Sequence, residues 1–315
     1  MKKLNVAVIG LGALGSRHAS IYSNLNDVNL LGVCDIDKAK VGKVAKTLNI
    51  ASFISHQDLL DKDKIDAVSI VTPTSSHYDI AREFLLNGIN VLIEKPITKT
   101  LPQAEELINL AREKGLTLQV GHVERFNSAV GQLKKMANHP RFVEVHRLGP
   151  YTPRVKDVGV VLDLMIHDVD ILLSIVDSGI ERVEAVGVNV ISPLHEDIAN
   201  ARITFKNGCV ANLTASRLTE KAMRKIRIFQ EDAYISLDYL NQSARIHRKA
   251  GFRISIADVD IKKEEPLRLE IKNFVDHARQ ASSAKESYID KQAKEALRVA
   301  LEITEKIKQR LHRFG

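Results

Sequence analysis

The stretch Leu4-Asn5-Val6-Ala7-Val8-Ile9-Gly10-Leu11-Gly12-Ala13-Leu14-Gly15 decides the fold. A mainly apolar, strand-like run passes directly into three glycines spaced Gly-x-Gly-x-x-Gly. In such a turn Gly10 permits the tight bend, Gly12 lets the backbone approach a pyrophosphate, and Gly15 lets helix and strand pack closely. The helix that follows then aims its free N–H groups and the positive end of its dipole at the phosphates, with Ala13 and Leu14 of the loop also candidates for cofactor contact. The next strand-like run ends in Asp35, 20 residues beyond Gly15. A carboxylate there hydrogen-bonds both ribose hydroxyls and repels a 2′-phosphate, so the expected cofactor is NAD rather than NADP. The competing reading is that Asp35 merely caps a turn.

Outward from this loop, apolar runs and helical patterns alternate through residue 120. The runs Leu4–Ile9, Asn29–Cys34, Ala67–Val71, Asn90–Ile93 and Thr117–Val120 are continuous, as in strands covered on both faces. Helices are expected over Asp37–Leu48, His77–Asn87 and Leu101–Lys114, the last capped by Thr100 with Pro102 in its first turn. That alternation predicts an α/β fold with a parallel, doubly wound sheet. From Arg141 the period shifts toward alternation. Ile198–Phe205 and Val210–Ser216 flank the hairpin signal Asn207-Gly208, and Arg224–Gln230 and Tyr234–Tyr239 flank another tight turn. The reading is a Rossmann domain over residues 1–121 and a second α/β domain with a meandering antiparallel sheet over residues 122–315. The tail repeats apolar residues at Ile289, Ala293, Leu297, Ala300, Thr304, Ile307 and Leu311, one helical face expected to pack back on the protein.

Composition bounds the partners. The 315 residues are 44% hydrophobic and 27% charged, ordinary for a soluble globular chain. The net charge of +7 comes without any dense basic run, which argues against nucleic acid. Cys34 and Cys209 sit in apolar runs as small buried hydrophobes, with no metal-ligand spacing and no disulfide framework. No apolar stretch nears the roughly 18 residues of a membrane helix, and the first apolar run is too short for a signal sequence, so a cytoplasmic location without membrane attachment is expected.

Three further motifs carry chemistry. Val71-Thr72-Pro73-Thr74-Ser75-Ser76-His77 follows a strand at the sheet edge where ligands of open α/β sheets bind. Thr72 and Pro73 are candidates for lining the nicotinamide ribose and His77 for touching the cofactor; alternatively Ser76 caps a helix that His77 begins. Glu94-Lys95-Pro96 ends another strand, and a lysine desolvated there has a lowered pKa and is a usable proton donor. Val161-Leu162-Asp163-Leu164-Met165-Ile166-His167-Asp168 reads as an apolar helix with Asp163 and His167 at i and i+4, stacked on one face. A carboxylate beside an imidazole in such surroundings suits a base with a supporting partner; a satisfied core pair, or a metal half-site lacking further ligands, is the bland alternative.

Taken together and in order, Gly10-x-Gly12-x-x-Gly15, Thr72-Pro73…His77, Glu94-Lys95-Pro96 and Asp163-x-x-x-His167 resemble the glucose–fructose oxidoreductase/inositol dehydrogenase (Gfo/Idh/MocA) family along essentially the whole chain. The resemblance implies an open, largely antiparallel sheet in the second domain and oxidation of a sugar or cyclitol hydroxyl by hydride transfer to NAD. It implies that Lys95 polarises the hydroxyl, His167 takes its proton and Asp163 supports His167, with Glu94 and Lys95 also lining the cofactor. It further implies a homodimer or homotetramer formed through the C-terminal sheet.

Many members carry a glycine cluster before the Asp–His helix, where this chain has Val158-Gly159-Val160-Val161. That variant, with Gly121-His122-Val123-Glu124-Arg125-Phe126-Asn127 and Arg147-Leu148-Gly149-Pro150-Tyr151-Thr152-Pro153-Arg154, resembles a subgroup acting on UDP-N-acetylhexosamines for amino-sugar and lipid A precursors. His122, Arg125, Arg147, Tyr151 and Arg154 are then the substrate-binding candidates. Arginine forks suit diphosphate oxygens and Tyr151 suits a uracil ring; the alternative is a set of ordinary surface cations. A free sugar, a cyclitol or a tetrapyrrole remains as substrate, as does a catalytically silent NAD-binding regulator, although no catalytic residue is missing.

Overall fold

In the computed structural model, which describes residues 3–60, 65–152, 158–250, 253–281 and 290–314, β1 (Leu4–Ile9) lies at the centre of a six-stranded parallel sheet. Around it run α1 (Ala13–Ser23), β2 (Val28–Cys34), α2 (Lys38–Leu48), β3 (Ala51–Phe53), α3 (Gln57–Leu60), β4 (Ala67–Ile70), α4 (Thr74–Leu86), β5 (Asn90–Glu94), α5 (Leu101–Glu113) and β6 (Leu118–Gly121). The strand order β3-β2-β1-β4-β5-β6 is that of the Rossmann fold, with its switch point between β1 and β4. Every residue of β4 and β5 is buried, the outcome expected of continuous apolar runs covered on both faces.

Local chemistry explains most boundaries. Asp37 caps α2 by accepting from Ala39 and Lys40 N–H, and Asn49 closes it in the left-handed region at φ 52°. Thr100 stands at the start of α5, but its side chain makes no capping bond there; its carbonyl instead accepts from the Thr98 hydroxyl. The short β3 and α3 carry too little apolar pattern to be legible in the sequence.

The chain divides into two units, residues 1–122 with 267–294, and residues 123–266 with 295–315. The second part of the chain is therefore not one continuous domain. Helix α8 (Pro266–Ala281), past its first residue, belongs to the first unit, held by Gln119 Nε2 on the Glu270 carbonyl (3.2 Å) and by Arg279 on Asp27. Burial of Leu267, Ile271, Phe274, Val275 and Ala278, one amphipathic face, supplies the driving force.

The second unit holds a 3-10 turn (Val123–Phe126), α6 (Ser128–Met136), β7 (Phe142–Leu148), a π turn (Val161–Met165) that runs into α7 (Ile166–Ile175), and seven further strands: β8 (Ile180–Val188), β9 (Ile198–Phe205), β10 (Val210–Ser216), β11 (Met223–Phe229), β12 (Ala233–Asp238), β13 (Ser243–Ala250) and β14 (Arg253–Val259). The eight strands form one sheet in the order β14-β13-β12-β11-β7-β10-β9-β8, antiparallel except for the β7–β10 pair. Gly208, at φ +83°, makes the β9–β10 turn. One face of the sheet packs on α6, α7 and α9 (Lys291–Phe314), whose Ala296, Val299, Ala300, Ile303 and Ile307 enter this core. The amphipathic tail thus does pack back. Among the described residues no helix is long and apolar enough to cross a membrane.

Candidate functional site

The glycine loop of the first unit has the geometry its spacing predicted. Gly10 sits at φ +88°, and a Cβ there would lie 2.6 Å from the Val71 carbonyl oxygen. A Cβ on Gly15 would lie 1.8 Å from the Gly10 carbonyl oxygen, so neither position admits a side chain. Gly12 differs: a Cβ there would meet nothing within 4 Å, and it stands exposed, with Ala13 and Leu14, at the start of α1. No side chain caps that helix. An open cradle edged by a helix N-terminus suits a pyrophosphate, so the residues present fit a dinucleotide.

Asp35 lies at the end of β2 with one carboxylate oxygen accepting from Leu11 N–H (2.7 Å) and the other from Asp37 N–H (2.9 Å). It thereby ties the glycine loop to the β2 end, and Asp37 rather than Asp35 caps the following helix. Lys40 Nζ stands 3.8 Å from Asp35. The neighbouring Cys34 thiol is pushed up to about 12, first by burial and then by the Asp35 charge, so it is an inert packing group. Burial likewise raises Cys209, to about 11.

Helix α4 begins at Thr74, so His77 is neither its first residue nor on the surface. It is buried, with its two ring nitrogens 2.9 Å and 2.8 Å from the Pro96 and Thr72 carbonyl oxygens. It braces the Thr72-Pro73 loop against Lys95-Pro96. Ser76 caps nothing; its hydroxyl bonds Thr72 Oγ1 and the Pro73 carbonyl. Glu94 also turns inward: it is buried, and its carboxyl lies so near Gly121 that a Cβ there would be 2.7 Å away. Lys95 is half-buried, less desolvated than the sequence reading expects, and its N–H donates to Glu94 Oε2 at 3.3 Å. His122 is buried immediately after β6.

In the second unit, Asp163 and His167 are both half-buried and straddle a junction: Asp163 is in the π turn and His167 in the first turn of α7. A π turn widens the spiral, so the i,i+4 stacking argument for an α-helix does not transfer to this pair unchanged; such single π turns are frequent at functional sites. Glu196 holds the start of the turn. Its carbonyl accepts from Val160 N–H and its carboxylate from Val161 N–H, both at 3.0 Å, while Gly159 leaves the space its carboxyl fills.

The fully buried carboxylates of this helix are Asp168 and Asp170, which sequence reasoning passed over. Asp168 takes the guanidinium of Arg147 as a fork, from Nε at 2.8 Å and Nη2 at 2.9 Å, and Arg147 Nη1 reaches Glu124 at 2.9 Å. Arg147 is 2% exposed and lies 5.3 Å from the Tyr239 ring centroid. Burial opposes its charge, but Asp168 and Glu124 outweigh that and push its pKa up. Burial raises Glu124 too, yet Arg147 and the other donors hold it below the usual carboxylate range. Arg125 forms a second fork, on Asp170. The two forks reserved for a diphosphate are thus taken by internal carboxylates, because a buried charge is stable only when paired.

Tyr151 is half-buried, with Arg217 over its ring at 5.8 Å. Arg217 in turn bonds Asp197, whose buried carboxylate also accepts from three backbone N–H groups (Val190, Ile191, Ser192) and the Ser192 hydroxyl. Burial alone would raise Asp197, but these donors pull it well below the usual range. Arg154 lies outside the described residues.

Comparison with known proteins agrees with this geometry. Residues 4–122 match the GFO/IDH/MocA oxidoreductase family with NAD-binding Rossmann fold, and residues 121–236 match the GFO/IDH/MocA C-terminal domain. UDP-N-acetylglucosamine 3-dehydrogenase of Acidithiobacillus ferrooxidans is 39% identical over 282 residues, 87% of this chain and 88% of that one. A solved structure of that enzyme, GnnA, superposes with a TM-score of 0.89 at 35% identity, covering 98% of this chain and 99% of the other. The NAD-dependent scyllo-inositol 2-dehydrogenase of Bacillus subtilis is 30% identical over 231 residues, 68% of each chain.

Proposed function

The chain belongs to the GFO/IDH/MocA family of NAD-binding oxidoreductases, and from that membership we propose that it oxidises a ring hydroxyl of a UDP-N-acetylhexosamine to the ketone. The observation that carries the substrate is the 39% identity to a UDP-N-acetylglucosamine 3-dehydrogenase along 87% of the chain. The open cradle at Gly12 and the carboxylate of Asp35 support the cofactor half of the reading.

Gly10, Gly12, Ala13, Leu14, Gly15 and Asp35 hold the dinucleotide, with Thr72 and Pro73 along the nicotinamide side. NAD, when bound, accepts the hydride from the carbon being oxidised. Lys95 donates to the substrate hydroxyl oxygen and stabilises the charge that develops on it. His167 takes the hydroxyl proton, and Asp163 favours the imidazolium that results. His77 and Glu94 act on the lysine loop by bracing it, and His122 and Tyr151 are the substrate contacts that remain with Arg154.

A cyclitol substrate is the second reading, favoured by the inositol dehydrogenase relative. The second unit's sheet supports assembly into a homo-oligomer: Phe142, Phe229, Tyr234 and His247 form a row of neighbouring rings, and Val186, Val188, Ile254 and Ile256 are exposed. A reducing cytoplasm suits its two buried thiols.

The test is NADH formation with UDP-GlcNAc, UDP-GalNAc, myo-inositol, glucose and glucose 6-phosphate, with a trap for the keto product. Turnover on UDP-sugars alone is expected; activity only on a free polyol overturns the substrate. Lys95→Ala should lower kcat by about 10³-fold while NAD affinity changes little, and undiminished turnover removes the lysine from the chemistry.

A further inference from the structure

Three ionisable side chains from distant parts of the chain meet inside the first unit: His18 on α1, Glu94 at the end of β5 and Glu270 on α8. All three are buried, His18 and Glu270 completely, and one ligand-capable atom of each lies within 4.8 Å of the other two. His18 Nε2 is 3.3 Å from Glu94 Oε1, yet neither ring nitrogen of His18 has a hydrogen-bond partner among the described residues. A ring nitrogen and a carboxylate oxygen held this close without hydrogen-bond geometry are arranged as two donors converging on a third atom. Nitrogen and oxygen ligands at about 2.0–2.1 Å from a tetrahedral metal stand about 3.3 Å apart.

The donor set points the same way. An imidazole with two carboxylates is a nitrogen–oxygen donor set of intermediate hardness, suited to Zn²⁺ or Mn²⁺ and not to a thiolate-seeking ion. No sequence pattern could announce it, because positions 18, 94 and 270 share no ligand spacing.

We propose that His18, Glu94 and Glu270 form a structural divalent-metal site of the Zn²⁺ or Mn²⁺ class. It joins α1 and β5, both part of the nucleotide-binding layer, to the returning helix α8. It also fixes Glu94, whose carboxylate accepts from the Lys95 N–H. Its test is separable from the reaction proposed above, because it reads binding and stability, not turnover.

The test uses the untagged full chain, stripped with a chelator and then titrated with ZnCl₂ or MnCl₂ while metal content and Tm are measured. The expected result is a single equivalent retained per chain and a Tm rise on the order of 5 °C at a hundredfold excess over Kd. Glu270→Gln, nearly isosteric, and His18→Gln should each abolish both effects while circular dichroism reports a folded chain. If His18→Gln does not fold, Glu270→Gln carries the test alone. A wild-type chain that retains no stoichiometric metal and shows no Tm response, or a response that survives in Glu270→Gln, overturns the proposal.

Discussion

Replacing Arg147 by Met separates two accounts of that residue. In the structure its guanidinium makes three hydrogen bonds, at 2.8, 2.9 and 2.9 Å, to two buried carboxylates. Charge-assisted bonds contribute about 1.5–3 kcal/mol each, so the gross loss is about 4.5–9 kcal/mol. Methionine restores part of the packing, and measured costs of breaking buried pairs centre on about 3–5 kcal/mol. At about 2–4 °C per kcal/mol, Arg147→Met should lower Tm by about 6–20 °C. The loss depends on pH, because Asp168 and Glu124 are left buried with their main cation gone. Their pKa values in the folded variant then lie above the unfolded ones, so their contribution favours folding at low pH and is lost as pH rises through those values. The Tm gap to wild type should therefore be smaller near pH 5 than near pH 8. Calorimetric unfolding across that range measures it, and Arg147→Met/Asp168→Asn should recover part of the gap. A variant within about 2 °C of wild type at all pH values, with a raised KM for a UDP-sugar, would refute the buried-pair account and return Arg147 to the substrate.

The other expectations are shorter. Gly12→Ala should fold normally but bind NAD about tenfold or more weakly by isothermal titration, whereas Gly15→Ala should not fold, because its Cβ falls 1.8 Å from a backbone oxygen; equal behaviour of the two contradicts the cradle. Asp197→Asn should cost about 3 kcal/mol at pH 7 by denaturant unfolding. Because the Asp197 pKa is depressed in the fold, its contribution is complete above the unfolded value of about 3.9 and fades as pH falls below it, so wild type and variant should converge in acid. Tyr22→Phe removes the buried 2.7 Å bond to Ser69 and should cost about 1 kcal/mol; a neutral result means Ser69 finds another partner.

The first unit was largely legible because its signals are local. Strand, glycine loop and the carboxylate at the end of β2 follow each other within about one βαβ unit, and each constrains the backbone where it stands. The second unit was legible only in outline. Arg147 reads in the sequence as a fork for a diphosphate, although it shares the inward phase of β7 with Val143 and Val145, a parity that places it in the core. Asp168 and Asp170 were overlooked because their partners stand at 147 and 125, and long-range pairing leaves no trace in spacing. The π turn was invisible for a different reason: it depends on Glu196 capping the backbone at Val160 and Val161 from far along the chain. The two carbonyls that His77 bridges are equally invisible, since neither the Thr72 nor the Pro96 carbonyl announces a histidine partner in the sequence.

The return of residues 267–294 to the first unit bears on how the protein is made. A domain whose last helix is encoded far downstream of its other elements cannot finish folding as they leave the ribosome. At about 5–20 residues per second, the glycine loop waits roughly 13–51 s after its own synthesis before Glu270 emerges to complete the layer around it. During that interval the apolar surface that α8 covers is open to chaperones and to neighbouring nascent chains. Expression of a fragment ending at residue 122 would leave the protein permanently in that unfinished condition, whereas grafting the 267–294 segment directly onto it should produce an independently soluble nucleotide-binding module.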